Sequence, residues 1–482
     1  MNYEKIGVKA GLEIHQQLDT GKLFCRCPGY LRKDAPDFVV SRKLHAVPGE
    51  LGEVDIAVEY EAELAKEFEY QGYNDSTCLV ELDEEPPHMI NESALKEAQK
   101  IALLLNCEIY PVAQIMRKSV IDGSNTSGFQ RTVLIGHDGY VETNFGKVRI
   151  ETIALEEDAA RIVKRGKDKV IFRLDRLGIP LVEVTTKPDM GSAKEIKETA
   201  LKIGEILRAC KVKRGIGTIR QDLNISIKGH DRVEIKGFQD PKIMIKTIDS
   251  EIKRQQKDVE DKKKKGEVRN ALASGKTEFL RPIPGRARMY PETDLPILNI
   301  PKKDIDKLKR ELPKLRSEVK EYLEKKGLSD ELINLILIGE GNLDEFETLM
   351  RVYNEDANLI GKMISLWRSE FASKLKLGGE EIKMILSEAV FERVLKALNE
   401  GKIIKRDVKG VLTKIASGAS VEEALKIERI KEDELEAEIR KIAKQKPGLS
   451  PNAYMGIIMG KFKKEIDAKE AMEIVNKITG EE

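Results

Sequence analysis

The sequence predicts an α+β protein, with a mixed or antiparallel sheet domain followed by helical domains, and three observations predict it. Up to about Ile300, short runs of β-type residues are separated by Gly, Asp and Pro. After Pro301 the strands vanish, and apolar residues recur at helical spacing from Lys303 through Leu398. From Gly401 to Glu482, short helical stretches are broken at Gly410, Gly418 and Lys446-Pro447-Gly448. The expected domains are residues 1–300, 301–400 and 401–482, since a chain of 482 residues is too long for one core.

In chain order, strands are expected at Lys5 to Ile14, Val148 to Ala154, Lys169 to Leu174, Leu181 to Thr185, Asn224 to Lys228 and Val233 to Lys236. Two amphipathic helices interrupt them. One runs over Glu92 to Leu105 behind Asn91, and the other over Ser192 to Ala209. Residues Ile243 to Val268 read as one charged helix whose end, Lys262-Lys263-Lys264-Lys265-Gly266, is a solvated lysine run. The glycines of Tyr454-Met455-Gly456-Ile457-Ile458-Met459-Gly460-Lys461 allow close helix packing.

Composition narrows the function classes. Charged residues make up 35% of the chain but the net charge is only +1, so any nucleic-acid contact must come from local basic patches. No apolar run reaches bilayer length, and Met1-Asn2-Tyr3-Glu4-Lys5 lacks the apolar core of a signal peptide. A soluble cytoplasmic protein with no membrane partner is expected. Five cysteines are too few, and odd in number, for a disulfide framework. Cys107 and Cys210 fall on apolar helical faces and read as core. Cys25-Arg26-Cys27 with Cys78 offers three thiolates to a zinc ion, but no fourth cysteine is near, and ordinary thiols in a reducing compartment are the other reading. Neither a Ser-His-Asp set nor a catalytic-cysteine motif is visible.

The chemistry points instead to carboxylates on strands. Successive side chains of a strand alternate faces, so in Gly11-Leu12-Glu13-Ile14-His15-Gln16-Gln17 the residues Glu13, His15 and Gln17 lie opposite Leu12, Ile14 and Gln16. The same parity sets Glu183 opposite Val182 and Val184. It sets Asp222, Asn224 and Ser226 opposite Leu223, Ile225 and Ile227. With Glu156 of Leu155-Glu156-Glu157-Asp158, these residues suggest a magnesium site on a sheet, although each acid alone among 83 Asp and Glu also reads as a surface group. Arg176, in Arg173-Leu174-Asp175-Arg176-Leu177-Gly178, supplies a guanidinium suited to anionic substrates and phosphoryl transfer, or a structural Arg-Asp pair. The loop Asp122-Gly123-Ser124-Asn125-Thr126-Ser127-Gly128-Phe129-Gln130-Arg131 is rich in donors that could wrap phosphates, or is a surface turn, and does not fit the Walker pattern.

These motifs, taken in order with Lys22-Leu23-Phe24-Cys25-Arg26-Cys27-Pro28 and Cys78-Leu79-Val80-Glu81-Leu82-Asp83-Glu84-Glu85-Pro86-Pro87-His88, resemble one family end to end. It is the B/E subunit family of tRNA-dependent amidotransferases, and the details resemble its archaeal E branch. The resemblance implies a cradle-like first domain, a helical domain, and a tail similar to the YqeY-like module that contacts tRNA. It implies an ATP-dependent ligase that phosphorylates the γ-carboxylate of glutamate on tRNA(Gln) and then lets ammonia displace the phosphate. The implied ammonia source is an asparaginase-like D subunit, in a heterotetramer of two D and two E subunits. Implied ligands are ATP, at Ser124, Asn125, Thr126, Ser127, Gly128, Gln130, Arg131 and Asp222, and Mg2+, at Glu13, His15, Glu156 and Glu183, with Arg176 beside them. Zinc at Cys25, Cys27 and Cys78 stays open. A B-type subunit with an amidase partner, and a non-catalytic tRNA-binding scaffold, are the alternatives. The family's E subunits carry an inserted domain similar to one in aspartyl-tRNA synthetase, expected between Gly266 and Thr277; here those segments are almost contiguous, as in a natural short form or an engineered deletion. The return segment Arg281 to Asp294 is E-like, and its arginines, Arg286 and Arg288 among them, would meet phosphates or merely pack.

Overall fold

The structure is a computed structural model that describes every residue apart from 46–47, 49–51, 55–58, 60–61, 64–65, 239–242, 284–288, 340, 427–431, 463–467 and 481–482. It divides into two compact units, Met1–Leu315 and Arg316–Glu482. Arg286 and Arg288 lie outside the described residues.

The first unit opens with a short helix, α1 (Tyr3–Ile6), and the long strand β1 (Lys9–Gln17). The helix occupies the start of the strand expected at Lys5 because Asn2 caps it and Gly7, at φ +68, closes it in the left-handed conformation. There follow β2 (Phe38–Arg42), β3 (Glu67–Gly72), α2 (Glu92–Leu104), β4 (Glu108–Ile109), β5 (Val112–Ala113), β6 (Ile115–Ser119), β7 (Phe129–Thr143) and β8 (Gly146–Glu157). Next come β9 (Arg161–Arg165), β10 (Lys169–Arg173), β11 (Pro180–Thr186), α3 (Ala193–Ala209), β12 (Ile219–Ser226) and β13 (Val233–Lys236). The unit ends with α4 (Met244–Glu260), β14 (Val268–Ala271), β15 (Thr277–Arg281), β16 (Met289–Pro291), β17 (Leu298–Asn299) and α5 (Lys302–Arg310). The charged helix expected to reach Val268 stops at Glu260, where Lys262 turns left-handed (φ +59), and Val268 pairs as the first residue of β14.

Among the described residues one sheet has the order β15-β14-β13-β12-β1-β11-β8-β7-β6-β16, with β4 attached to β7. Its pairs are antiparallel except β13 with β14. A second sheet, β2-β3-β10-β9, is parallel only between β3 and β10. This is the mixed, mostly antiparallel architecture that the alternating runs predict, and β1 lies near its middle with a partner on each side. The apolar faces of β1, β7, β8, β11 and β12 (Leu12, Ile14, Val133, Leu155, Val184, Leu223) share one core with Ala98 and Ile101 of α2, Ile196 and Ile203 of α3, and Ile248 of α4. Close approach of α2 needs Gly139, where an added Cβ would lie 2.5 Å from Leu105 O. The opposite face carries Glu13, His15, Glu156, Glu183 and Asp222.

Cys107 and Cys210 are buried in that core, as expected, but in the segments that end α2 and α3 rather than on helical faces. The hairpin β14–β15 is closed by a turn in which Gly275 N donates to Leu272 O (2.9 Å) and Leu272 N to Lys276 O (2.9 Å).

The second unit is helical throughout its described residues. One apolar cluster runs from Val319 to Ala424, around the buried pair Arg368–Glu345 (2.6 Å), and another from Leu435 to Val475. The helix α5, past residue 300, packs on α2 in the first unit, and Val408, Val411 and Leu412, past residue 400, share the cluster of Val394 and Leu395. Apolar burial decides both, and composition does not display it.

Ile14 is fully buried directly behind the polar face of β1. Ile14→Ala should lower stability by about 2–5 kcal/mol, seen as an earlier urea midpoint of the first unit; an unmoved midpoint would show that β1 is not central to the core.

Candidate active site

The alternation in β1 becomes a site because both neighbouring strands are antiparallel and in register. His15 stands opposite Glu183 of β11 and opposite Arg220 of β12, while Glu13 stands opposite Thr185 and Asp222. Directly opposed side chains on one face come within contact distance. His15 Nε2 lies 3.2 Å from Glu183 Oε2 and 3.5 Å from Glu13 Oε1. Candidate ligand atoms of Glu13, His15 and Glu183 all fall within 4.8 Å of one another.

Two carboxylates this close in a half-buried site need compensation. Burial opposes ionisation of Glu183, but Lys118 and His15 outweigh it and hold its carboxyl well below the usual range. Glu13 receives less help, and burial followed by the charge of Glu183 pushes it up to about 7. Burial alone would neutralise His15, yet its hydrogen bond to Glu183, with the charges of Glu183 and Glu13, pushes the imidazole up to about 9. The donor set, two carboxylates and one imidazole nitrogen on one sheet face, suits a divalent cation that keeps water on its open positions.

Glu156 shares this face without joining the triad. Its Oε1 accepts from Lys118 Nζ (2.5 Å) and Thr132 Oγ1 (2.6 Å), and its Oε2 accepts from Gln130 Nε2 (3.0 Å). Lys118 also reaches Glu183 Oε2 at 3.8 Å, so a lysine stands where the sequence suggested a fourth ligand. Asp222 Oδ2 is bound by Lys236 (2.7 Å), which also pairs with Glu234 (2.6 Å). Arg176 sits away from the triad, donating to Ala159 O (2.7 Å) and Ala160 O (2.9 Å) and lying 3.7 Å from Asp158.

The donor-rich loop is turned inward. Thr126 Oγ1 donates to Glu81 O (2.6 Å), Ser127 Oγ to Phe129 O (3.0 Å), and the NH of Gly128, which is left-handed at φ +76, donates to Asn125 O (3.1 Å). Ser124 N donates to its own loop's Asp122 (2.9 Å). Asn125, Thr126 and Arg131 are buried, and Arg131 is taken by Glu292 (2.8 Å) and Glu157 (3.4 Å). Only Gln130 of the group contacts an acid of the polar face. Several of the loop's donors thus bond to the protein itself.

The cysteines do meet. Cys25, Cys27 and Cys78 gather with Glu81, all four candidate ligand atoms lying within 4.8 Å of one another. Cys78 Sγ lies 3.0 Å and Cys25 Sγ 3.2 Å from the Glu81 carboxylate. Hydrogen bonds from Cys25 and Cys27 pull the Cys78 thiol well below its ordinary range. Cys27, pulled down by Cys25 but pushed up more by Cys78 and burial, stands at about 12. Beneath them Lys22, fully buried, donates to Glu81 Oε1 (2.6 Å), Ser76 O (2.9 Å) and Leu174 O (3.2 Å). The fourth donor beside the three thiols is thus a carboxylate three residues beyond Cys78, and sulfur and carboxylate oxygen are both donor types that zinc takes.

Sequence reasoning missed Glu81, Lys22, Lys118, Asp158, Lys236 and Arg220. Parity could have found Arg220, two residues before Asp222 on the same strand. Nothing local could have found Lys118, because it reaches Glu156 and Glu183 only through the β6–β7–β8 pairing.

The sequence pattern of the GatB/GatE catalytic domain matches residues 8–306. Proteins named as the E subunit of glutamyl-tRNA(Gln) amidotransferase are similar over most of the chain. That of Methanocaldococcus jannaschii is 36% identical, covering 99% of this chain and 98% of its own length. That of Methanothermobacter thermautotrophicus is 35% identical (92% of each), and that of Pyrobaculum arsenaticum is 32% identical (99% and 100%). The first of these alignments runs over 626 positions, 144 more than the 482 residues here, so at least that many positions of the relative have no counterpart. Among the described residues no helix is long and apolar enough to cross a membrane.

The raised pKa of Glu13 makes stability pH-dependent. Between its ordinary value of 4.5 and about 7 the folded state holds a proton that the unfolded chain has released, so this stabilisation is full below 4.5 and lost as pH rises through about 7. With divalent ions chelated, Glu13→Gln should flatten the fall in urea midpoint between about pH 5 and about pH 6.5; parallel slopes in the two proteins would refute the perturbed carboxyl.

Proposed function

This chain belongs to the GatB/GatE family of amidotransferase subunits, and from that premise we propose that it is the tRNA-dependent subunit that activates and amidates Glu-tRNA(Gln). The observation that carries this reading is the convergence of Glu13, His15 and Glu183 on one polar sheet face. In the proposed reaction an oxygen of the glutamyl γ-carboxylate attacks the γ-phosphorus of ATP, and ADP leaves with the bonding electron pair. Ammonia then attacks the acyl carbon of the γ-glutamyl phosphate, phosphate leaves, and nitrogen gives up a proton to yield Gln-tRNA(Gln). A carboxylate oxygen is a poor leaving group until it is phosphorylated, so ATP is a substrate here and charge neutralisation is the main task of the site.

Magnesium, held by Glu13, Glu183 and His15 Nε2, would neutralise charge on the transferring phosphoryl group. Lys118 has a separate duty: it keeps Glu183 ionised and holds Glu156 by an ion pair, which supports Glu156 as a neighbour of the ion rather than a ligand. The opposite face of β1 is locked in the core, so the triad is preorganised.

Ammonia is proposed to come from an asparaginase-like D subunit in a cytoplasmic assembly of two D and two E subunits, in line with the names of the relatives, all E subunits. The missing alignment positions are proposed to fall at the β14–β15 turn, where the family's inserted domain is expected. The helices of residues 401–482 are proposed as a YqeY-like tRNA-binding tail. Zinc is proposed at Cys25, Cys27, Cys78 and Glu81, on the strength of the four converging donors.

Glu13→Gln should lower ATP-dependent phosphate formation with Glu-tRNA(Gln) by about 100-fold or more while tRNA binding persists. Unchanged phosphate formation would leave the scaffold reading in its place. The native chain supplied with high ammonium should form Gln-tRNA(Gln) without a partner, and failure to do so would move the amidation elsewhere. Elemental analysis should find zinc in the native chain and little in Cys78→Ser; equal zinc in both, or none in either, would exclude the cluster as its site.

A further inference from the structure

Beside the triad, towards Gln17, the polar face carries a second charge cluster that the proposed reaction leaves unused. Asp158, only 1% exposed, is its centre. Arg220 Nη2 donates to Asp158 Oδ1 (2.6 Å) and Gln17 Nε2 to Asp158 Oδ2 (2.6 Å), with Arg176 Nε 3.7 Å away. Half-buried Lys213 lies in the loop that leads into β12, its backbone NH donating to Gln17 O (3.0 Å). The base of its loop is stapled to β1, since Gln16 Nε2 donates to Lys213 O (3.0 Å) and Thr218 O (3.2 Å). Two guanidinium groups, those of Arg220 and Arg176, thus face one deeply buried carboxylate.

The other cations of this face are balanced. Lys118 lies between Glu156 and Glu183, and Lys236 between Asp222 and Glu234. Arg176 spends two nitrogens on backbone carbonyls. Arg220 differs from them all. It stands opposite His15 in the sheet, one terminal nitrogen is fixed by Asp158, and its side chain keeps 32% of its surface exposed. A guanidinium held along one edge presents its remaining N–H groups as a planar fork that matches phosphoryl oxygens.

We propose that Arg220, oriented by Asp158, binds a phosphoryl group beside the Glu13–His15–Glu183 triad. The phosphoryl site then lies at the β1–β12 edge of the triad and not in the loop Ser124 to Arg131. The ligand chemistry is a phosphoryl oxygen, whether of a nucleoside triphosphate or of the acyl phosphate formed from it. Asp158 is a positioning residue. The inference rests on the phosphorylation reading above, and two probes separate them.

Binding of inorganic tripolyphosphate and of ATP with magnesium is measured calorimetrically on the full chain and on Arg220→Gln, Arg220→Lys and Asp158→Asn, with thermal melts to confirm folding. Arg220→Gln should weaken both ligands about tenfold or more, and Arg220→Lys should recover part of the loss. Asp158→Asn should keep binding but lower kcat for ATP consumption with Glu-tRNA(Gln) at little-changed KM. Equal binding of both probes by Arg220→Gln and the native chain, or no binding by the native chain, overturns the site. An Asp158→Asn enzyme with native kcat overturns the positioning role. A native chain that binds tripolyphosphate through Arg220 yet consumes no ATP with Glu-tRNA(Gln) leaves the site standing and removes the phosphorylation reading. ATP consumption undiminished in Arg220→Gln does the reverse.

Discussion

Two carboxylates, Glu13 and Glu183, are held against one imidazole at the middle of a sheet, and the surrounding structure is arranged around that electrostatic cost. Like charges at this range in a half-buried setting favour protonation, and the raised Glu13 carboxyl expresses it. Lys118 settles the matter on one flank by pairing with Glu156 and Glu183, and Lys236 does the same on the other with Asp222 and Glu234. Lys236 comes from the strand next to Asp222, and Lys118 reaches Glu156 across one intervening strand, β7. The acids can persist as a cluster only because the strands that carry the compensating cations cannot slip: a one-residue shift of β1 would turn Glu13 and His15 into the apolar core.

The core on the reverse face supplies that restraint. Leu12 and Ile14 of β1, with Val182 and Val184 of β11, are completely buried under helices α2, α3 and α4. One strand thus does two jobs on alternate residues, anchoring by its even positions and binding by its odd ones. The thiol cluster follows a similar logic with different chemistry. Buried Lys22 satisfies its three donors on Glu81, Ser76 O and Leu174 O, and in doing so fixes the carboxylate against which Cys25 and Cys78 lie.

Local signals served well where a residue's role depends on its immediate neighbours. Asn91 caps the helix it was expected to precede, and Ser192, expected as the first residue of its helix, caps it instead, each accepting from the backbone NH three residues on. Val233–Lys236 forms the strand expected of it to the residue. The strands β2, β3, β6 and β9 gave no such signal, because mixed polar and apolar runs such as Ile115–Ser119 become strands only when a neighbour supplies the hydrogen bonds. The loop from Ser124 to Arg131 shows the converse. Its composition advertised donors to a phosphate, but composition says nothing of where donors point, and these point at Glu81, Phe129 and Glu292.

By itself the sequence determined the face on which Glu13, His15, Gln17, Glu183 and Asp222 lie, since parity along a strand is a property of the chain. It also determined the helix starts, the absence of a disulfide framework, and, through its ordered motifs, the family. Only the tertiary structure decided that Glu13, His15 and Glu183 form the triad while Glu156 is given to Lys118, that Glu81 completes the thiol group, and that Arg220 is braced by Asp158. The reason is sequence separation. The contacts His15–Glu183, Lys118–Glu156 and Arg220–Asp158 join residues 168, 38 and 62 positions apart through the sheet, and register between distant strands is set by the whole sheet and its core, not by any segment that could be read alone.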